Sequence, residues 1–173
     1  MKKVLLILAV TVISYSVIAQ NQDKPIENKV HEFGFQAGFT TGVGLSYRYW
    51  PGKFGVQITA LPVKSSDVTF VSLGLTGMYS IYNSRHTRFF LYLANSYNIN
   101  KYVEETDYYN YNTGYYEYRE EHVNNNAYNI GFGPGFGFGT RVRFNIMAGY
   151  GFYDVFGEFN MLPTVEAGLY FRF

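Results

Sequence analysis

The chain has 173 residues and a formal net charge of +1, and no cysteine occurs in it. That excludes a disulfide framework, a thiolate zinc site and a lipid-modified N-terminal cysteine, and without a basic cluster there is no electrostatic footprint for nucleic acid. Aromatics make up 20% of the residues, with 18 Tyr and 16 Phe beside 18 Gly, yet no interior segment approaches ~20 continuous apolar residues, so a helical membrane protein is excluded as well.

The first residues have the form of a secretory signal. Lys2 and Lys3 supply the positive start, residues 4–12 the apolar core, and Val17-Ile18-Ala19 the cleavage site. The apolar run is too short, and too soon interrupted by Ser14 and Ser16, to span a membrane. Residues 1–19 are therefore expected to be a cleaved signal peptide, and 20–32 a periplasmic segment.

From residue 33 onward the chain alternates apolar and polar residues, the pattern of a strand with two unlike faces. Segment 33–39 places Phe33, Phe35, Ala37 and Phe39 on one side. After Thr40-Thr41-Gly42, segment 43–50 carries Val43, Leu45, Tyr47 and Tyr49 against Ser46 and Arg48. Pro51-Gly52 is a tight turn, and 54–61 follows with Val56, Ile58 and Ala60 opposed to Gln57 and Thr59. Segment 68–82 comes after the polar loop at 64–67, and segment 89–99 after the polar turn at 83–87. A long polar excursion over 103–124 precedes segment 128–138, where aromatic residues alternate with glycines. Segment 142–152 exposes Val142, Phe144, Ile146 and Ala148, and the final strand runs Val165, Ala167, Leu169, Phe171, Phe173 against Glu166, Gly168, Tyr170 and Arg172.

Eight such segments make an all-β protein, an eight-stranded antiparallel up-and-down transmembrane β-barrel over 33–173. Each strand gives only half of its residues to lipid, which keeps the mean hydropathy near neutral. Closure leaves no strand edge unpaired, which matters for an exported chain without disulfides. Short periplasmic turns and longer external loops set the direction. The turns at 50–53, 83–87 and 139–141 fall inside, and the loops at 62–67, 103–124 and 156–161 outside. Both termini are then periplasmic, which requires an even number of crossings. One long strand over 33–50 has the same parity as two, and a turn centred on Thr41 preserves it. A soluble barrel would reverse the faces. The charges of Arg48, Arg143, Glu166 and Arg172 on the polar face favour the membrane version, located in the cell outer membrane.

The Ala19-Gln20 signal end, the alternating aromatic strands and the terminal Tyr170-Phe171-Arg172-Phe173 resemble small outer-membrane barrels of the OmpA-like and OmpX-like kind. The phrase Gly44-Leu-Ser-Tyr-Arg-Tyr-Trp-Pro-Gly-Lys-Phe-Gly-Val-Gln57 resembles versions found in Bacteroidota. The resemblance covers the chain after the signal. It implies fold and location, and a terminal Phe read by the assembly machinery, but no activity.

Three features could carry chemistry. The inward face holds Arg48, Gln57, Arg143, Asn145, Glu166 and Arg172, and a charge in a narrow lumen is costly unless paired. Glu166 is expected to pair with Arg143, Arg48 or Arg172, chiefly as a polar core. The run 131–139 fits neither a phosphate loop nor a dinucleotide fingerprint. Its glycines face inward and are expected to make room for bulky Arg or Tyr, and Pro134 suggests a bulge.

The excursion 103–124 interleaves Tyr108, Tyr109, Tyr111, Tyr115, Tyr116 and Tyr118 with six acids and Arg119. Folding about Thr113 puts Tyr111 opposite Tyr115, Tyr109 opposite Glu117 and Glu105 opposite Glu121. Tyrosine is a good contact residue because its ring is large, rigid and amphipathic. The hairpin is thus the candidate for an extracellular partner, with a solvated loop or a divalent cation as the other readings.

His31, His86 and His122 are the only histidines. None lies in a predicted strand beside a serine and a carboxylate, so a lipid-modifying enzyme is disfavoured. No cofactor or metal is expected. The partners expected are membrane lipid and a surface ligand, with the chain a monomer. A scaffold or surface-interaction role leads, and a narrow pore for a small solute is the alternative, since eight strands leave little lumen.

Overall fold

The computed structural model describes residues 30–65, 68–110 and 115–173. Eight strands follow in chain order: β1 (Val30–Ala37), β2 (Gly44–Trp50), β3 (Phe54–Lys64), β4 (Val68–Asn83), β5 (Thr87–Asn110), β6 (Tyr115–Gly139), β7 (Val142–Tyr153) and β8 (Asn160–Arg172). Each pairs antiparallel with the next, and β1 pairs with β8 to close the barrel. Residues 33–50 are therefore two strands. The seam extends to the last residue, where the Phe173 N–H donates to the His31 carbonyl.

The alternation sets the faces as a membrane barrel requires. Phe35, Leu93 and Val165 are 63%, 63% and 72% exposed on the outside. Ser46, Thr59, Ser72, Thr76 and Ser96 are buried inside. Among the described residues, buried polar side chains outnumber buried apolar ones. A soluble barrel would show the opposite. No helix of the described residues is long and apolar enough to cross a membrane, and the crossing is made by strands whose backbone groups are satisfied around the ring.

Several boundaries differ from expectation. β3 runs on to Lys64 and β8 starts at Asn160, which shortens the loops expected at 62–67 and 156–161. β1 starts at Val30, so residues 30–32 belong to the barrel and not to a periplasmic segment. Glu32 reads as a break in an apolar pattern, but its parity is that of Gly34 and Gln36, and all three point into the lumen. The expected loop at 103–124 is instead largely strand. β5 and β6 stay paired from Thr87↔Phe138 to Asn110↔Tyr115 without a register shift.

The two rims are unlike. One carries the start of β1, the end of β8 and the short turns after β2, β4 and β6. The other carries the β1–β2 loop, the long hairpin and the β7–β8 loop. The β1–β2 loop does not project. It turns into the lumen, where Thr40 and Thr41 are fully buried. Gly42 adopts φ 82° there and lies against Gly74 of β4, whose missing Cβ makes room for the Thr41 carbonyl. Two strands further round the ring, on β6, a Cβ at Gly131 would collide with the Thr40 side chain.

The inward glycines of β6 thus admit Thr40, Phe90 and Asn145 at Gly131, Gly135 and Gly137, rather than the arginines or tyrosines expected. Pro134 makes no bulge either. The β6–β7 register is the same on both sides of it, at Phe132↔Tyr150 and Gly135↔Met147. The register shift lies in β4 between Ser80 and Tyr82.

Candidate functional site

The half of the lumen near the turn rim is built around one carboxylate. Glu32 of β1 sits directly across from Arg48 of β2 and Arg172 of β8 in the ladder. Arg88 at the start of β5 and Arg143 at the start of β7 reach it across the lumen. The separations are 3.6 Å from Arg48 Nη1 to Oε2, and 3.3, 3.8 and 3.9 Å from Arg172 Nη2, Arg143 Nε and Arg88 Nη1 to Oε1. Arg48 also donates to Gln57 Oε1 from Nε at 3.0 Å and from Nη2 at 2.6 Å. Its guanidinium stacks over Tyr170 at 4.0 Å, and that of Arg88 over Trp50 at 4.1 Å. These contacts hold the planar groups in place while leaving their edges for Glu32.

The six residues expected in the interior network all have inward parity, and Arg48, Gln57, Arg143, Asn145 and Glu166 are buried. They do not form one network. Glu166 pairs with none of the arginines. In the ladder it lies opposite Met147, and Arg143 lies opposite Tyr170. Its Oε1 instead accepts from the Thr40 backbone N–H at 3.0 Å, from the Thr40 hydroxyl, and from Thr164 at 3.2 Å. Sequence reasoning missed Glu32 and Arg88. Both signals were present as parity: Glu32 lies two residues before Gly34 on the same face, and Arg88 one residue before the outward Phe89.

Glu166 therefore belongs to the second half of the lumen, where it holds the inward loop. Gln36 Nε2 donates to the Thr41 hydroxyl at 3.0 Å, and the Phe39 carbonyl accepts from Ser96 Oγ and Asn129 Nδ2 at 2.6 and 3.0 Å. The Val43 N–H donates to Ser72 Oγ at 3.0 Å. Five strands thus hold one loop. Above it a cavity of about 350 Å³ opens at the loop rim, lined by Phe39, Phe70, Asn98, Asn100, Asn125 and Tyr153 among others.

The hairpin rises from this rim. β5 leaves β4 after Val68↔Tyr102, yet continues paired with β6 to Asn110. Its eight further residues, 103–110, span about 26 Å at ~3.3 Å per residue. Tyr108, Tyr109, Tyr115, Tyr116 and Tyr118 hold register positions on it, and Tyr111 lies outside the described residues, as does Thr113. The pairing differs by one residue from a fold about Thr113. Tyr109 faces Tyr116, Tyr108 faces Glu117 and Tyr115 faces Asn110. The barrel's own register, carried outward unbroken, sets this pairing. Acid still faces acid, Glu104 across from Glu121 and Glu105 across from Glu120.

The histidines are dispersed. His31 lies within β1, where Nδ1 is 2.6 Å from the Tyr47 hydroxyl and the ring stacks on Tyr49 at 4.7 Å. His86 is in the β4–β5 turn and His122 on the hairpin.

No protein-family model and no curated protein matches the sequence. Among solved structures, the N-terminal β-barrel domain of Pseudomonas aeruginosa OprF is similar at 13% identity, covering 85% of this chain and 98% of that one, with TM-score 0.51. The chain has the fold of an outer-membrane β-barrel protein. The outer membrane protein Ail of Yersinia pestis, in a phospholipid bilayer nanodisc, aligns over 84% of this chain and 98% of that one at 14% identity and TM-score 0.40. The Neisserial surface protein A aligns over 84% and 94% at 12% identity and TM-score 0.39.

Proposed function

We propose that this chain is an outer-membrane surface-interaction protein, a sealed barrel that holds a tyrosine- and acid-rich hairpin away from the cell for an extracellular partner. Residues 1–19 export it and are removed, the turn rim faces the periplasm and the loop rim the outside. It acts as a monomer, without catalysis. One observation carries the reading: the lumen is filled while the hairpin is extended. Glu32 and its arginines occupy one half, and the buried β1–β2 loop crosses the other. A pore has no use for such contents, whereas a scaffold gains stiffness from them. The paired backbone of β5 and β6 beyond Tyr102 is more than a connection between strands needs.

The test has two arms. Planar bilayers holding the refolded chain are expected to stay silent, and discrete steady channels would make transport the function. Cells displaying the chain are expected to adhere to laminin-, collagen- or mucin-coated surfaces more than cells displaying a variant without residues 104–121. Equal adhesion at equal surface level would remove the hairpin from the function.

A further inference from the structure

The charge around Glu32 does not balance. Four guanidinium groups surround it, and among the described residues it is the only carboxylate ion-paired to them. Arginine keeps its charge in proteins. The cluster therefore carries three positive charges in excess. Glu166 forms no ion pair with these arginines; its carboxylate lies against Thr40 and Thr164 in the other half of the lumen.

Donors are left over as well as charge. Three guanidiniums converge on the single oxygen Oε1 of Glu32, and only Arg172 Nη2, at 3.3 Å, is hydrogen-bonded to it. Arg143 Nε and Arg88 Nη1 stand off at 3.8 and 3.9 Å, and both N–H groups are buried without an acceptor. Buried Asn145 Nδ2 is also without one. The ladder puts these groups together. Gly137 pairs with Arg88 on one side and Asn145 on the other, and Arg143 follows on the same inward face of β7. A Cβ at Gly137 would meet Asn145 Oδ1, so the glycine is what admits the Asn145 amide at this point. The cluster meets the turn rim, since Arg172 ends β8 and its side chain is 18% exposed, and Arg143 Nη2 lies 3.4 Å from the Arg85 carbonyl in the β4–β5 turn.

A water molecule would accept from these donors but would not offset the charge. An oxyanion does both, since it accepts several N–H bonds at once and suits the guanidinium fork. We infer that Arg88, Arg143 and Asn145 form a lumenal binding site for a small inorganic oxyanion of the phosphate class, entered from the periplasmic rim. The site is independent of the hairpin and of whatever the hairpin binds.

Trp50, the single tryptophan, lies under Arg88 and reports on it. The full chain, refolded in a non-ionic detergent, is titrated with sodium phosphate or sodium chloride at constant ionic strength while Trp50 fluorescence and heat are followed. Phosphate is expected to give a saturable response at a concentration at least tenfold below that for chloride. Arg88→Gln is expected to weaken it at least tenfold while heat-modifiable gel migration still reports a folded barrel. Asn145→Leu, which changes no charge, serves the same purpose if Arg88→Gln does not fold. A non-saturable response, a response shared equally with chloride, or saturation unchanged in the folded variants would each overturn the site.

Discussion

Glu32→Gln isolates the charge that holds the turn-rim half of the barrel together. The substitution keeps the shape of the side chain and leaves Oε1 to accept from Arg172. Each of the four pairs, at 3.3 to 3.9 Å, represents about 4–5 kcal/mol of gross attraction at an effective dielectric near 20. Most of that is offset by desolvation of buried charges and by repulsion among the arginines. What remains after losing one partner of a buried ion pair is a cost of ~3–5 kcal/mol, because the opposite charge stays buried and uncompensated. Urea unfolding of the barrel in phospholipid vesicles, followed by Trp50, measures it directly. Glu166→Gln is the control. Its carboxylate faces hydroxyls and a backbone N–H, so the expected loss is smaller, ~1–3 kcal/mol. Equal midpoints for wild type and Glu32→Gln would refute the reasoning. A larger loss for Glu166→Gln would restore the view that Glu166 is the arginines' partner.

Ile146 faces outward on β7, and Ile146→Arg should cost ~2–4 kcal/mol if it sits near the bilayer midplane; normal heat-modifiable folding at wild-type yield would count against a lipid-facing surface. Gly131→Val forces a side chain into the place of Thr40. It should destabilise by ~1–3 kcal/mol through overpacking and raise the accessibility of the β1–β2 loop to protease, so an unchanged digestion pattern would show the loop is not held there. Removal of residues 104–121 should leave the Trp50-detected unfolding midpoint unchanged, because among the described residues β5 beyond Tyr102 pairs only with β6; a large drop would make the hairpin part of the barrel's stability.

Strand count, closure and the inside-out arrangement were legible because they depend on parity, which a strand expresses residue by residue. Arg48, Arg143 and Asn145 were placed in the lumen on that basis alone. The partner of the arginines was not. Parity says which face a side chain is on, but not at what height it meets its neighbours, and the stagger of a closed barrel puts Glu166 opposite Met147 rather than Arg143. Glu32 was lost for a different reason: a charge next to His31 reads as the end of an apolar strand, although a polar lumen accepts it. The β1–β2 loop was beyond reach altogether. Thr40-Thr41-Gly42 has turn chemistry, and nothing local says that the turn bends inward. That depends on Gly74 and Gly131 on two distant strands leaving space for it.

The same glycines bear on what the barrel is for. A water-filled eight-stranded lumen would need only inward polar side chains of modest size. Here β4 and β6 give up side chains so that a loop from elsewhere in the chain can enter, and Ser96, Asn129 and Glu166 use their polar groups on its backbone and hydroxyls. Those bonds tie the loop to three strands, β5 and β6 on one side of the ring and β8. The rim that is braced in this way is the one from which β5 and β6 continue outward as a two-stranded ribbon. An isolated hairpin is marginally stable in water. The pairing here survives because a stiff barrel fixes the spacing and register at its base. In the proposed role, sealing the lumen and presenting the hairpin are one structural solution, and a change that frees the loop should loosen the hairpin's pairing before it opens any path through the membrane.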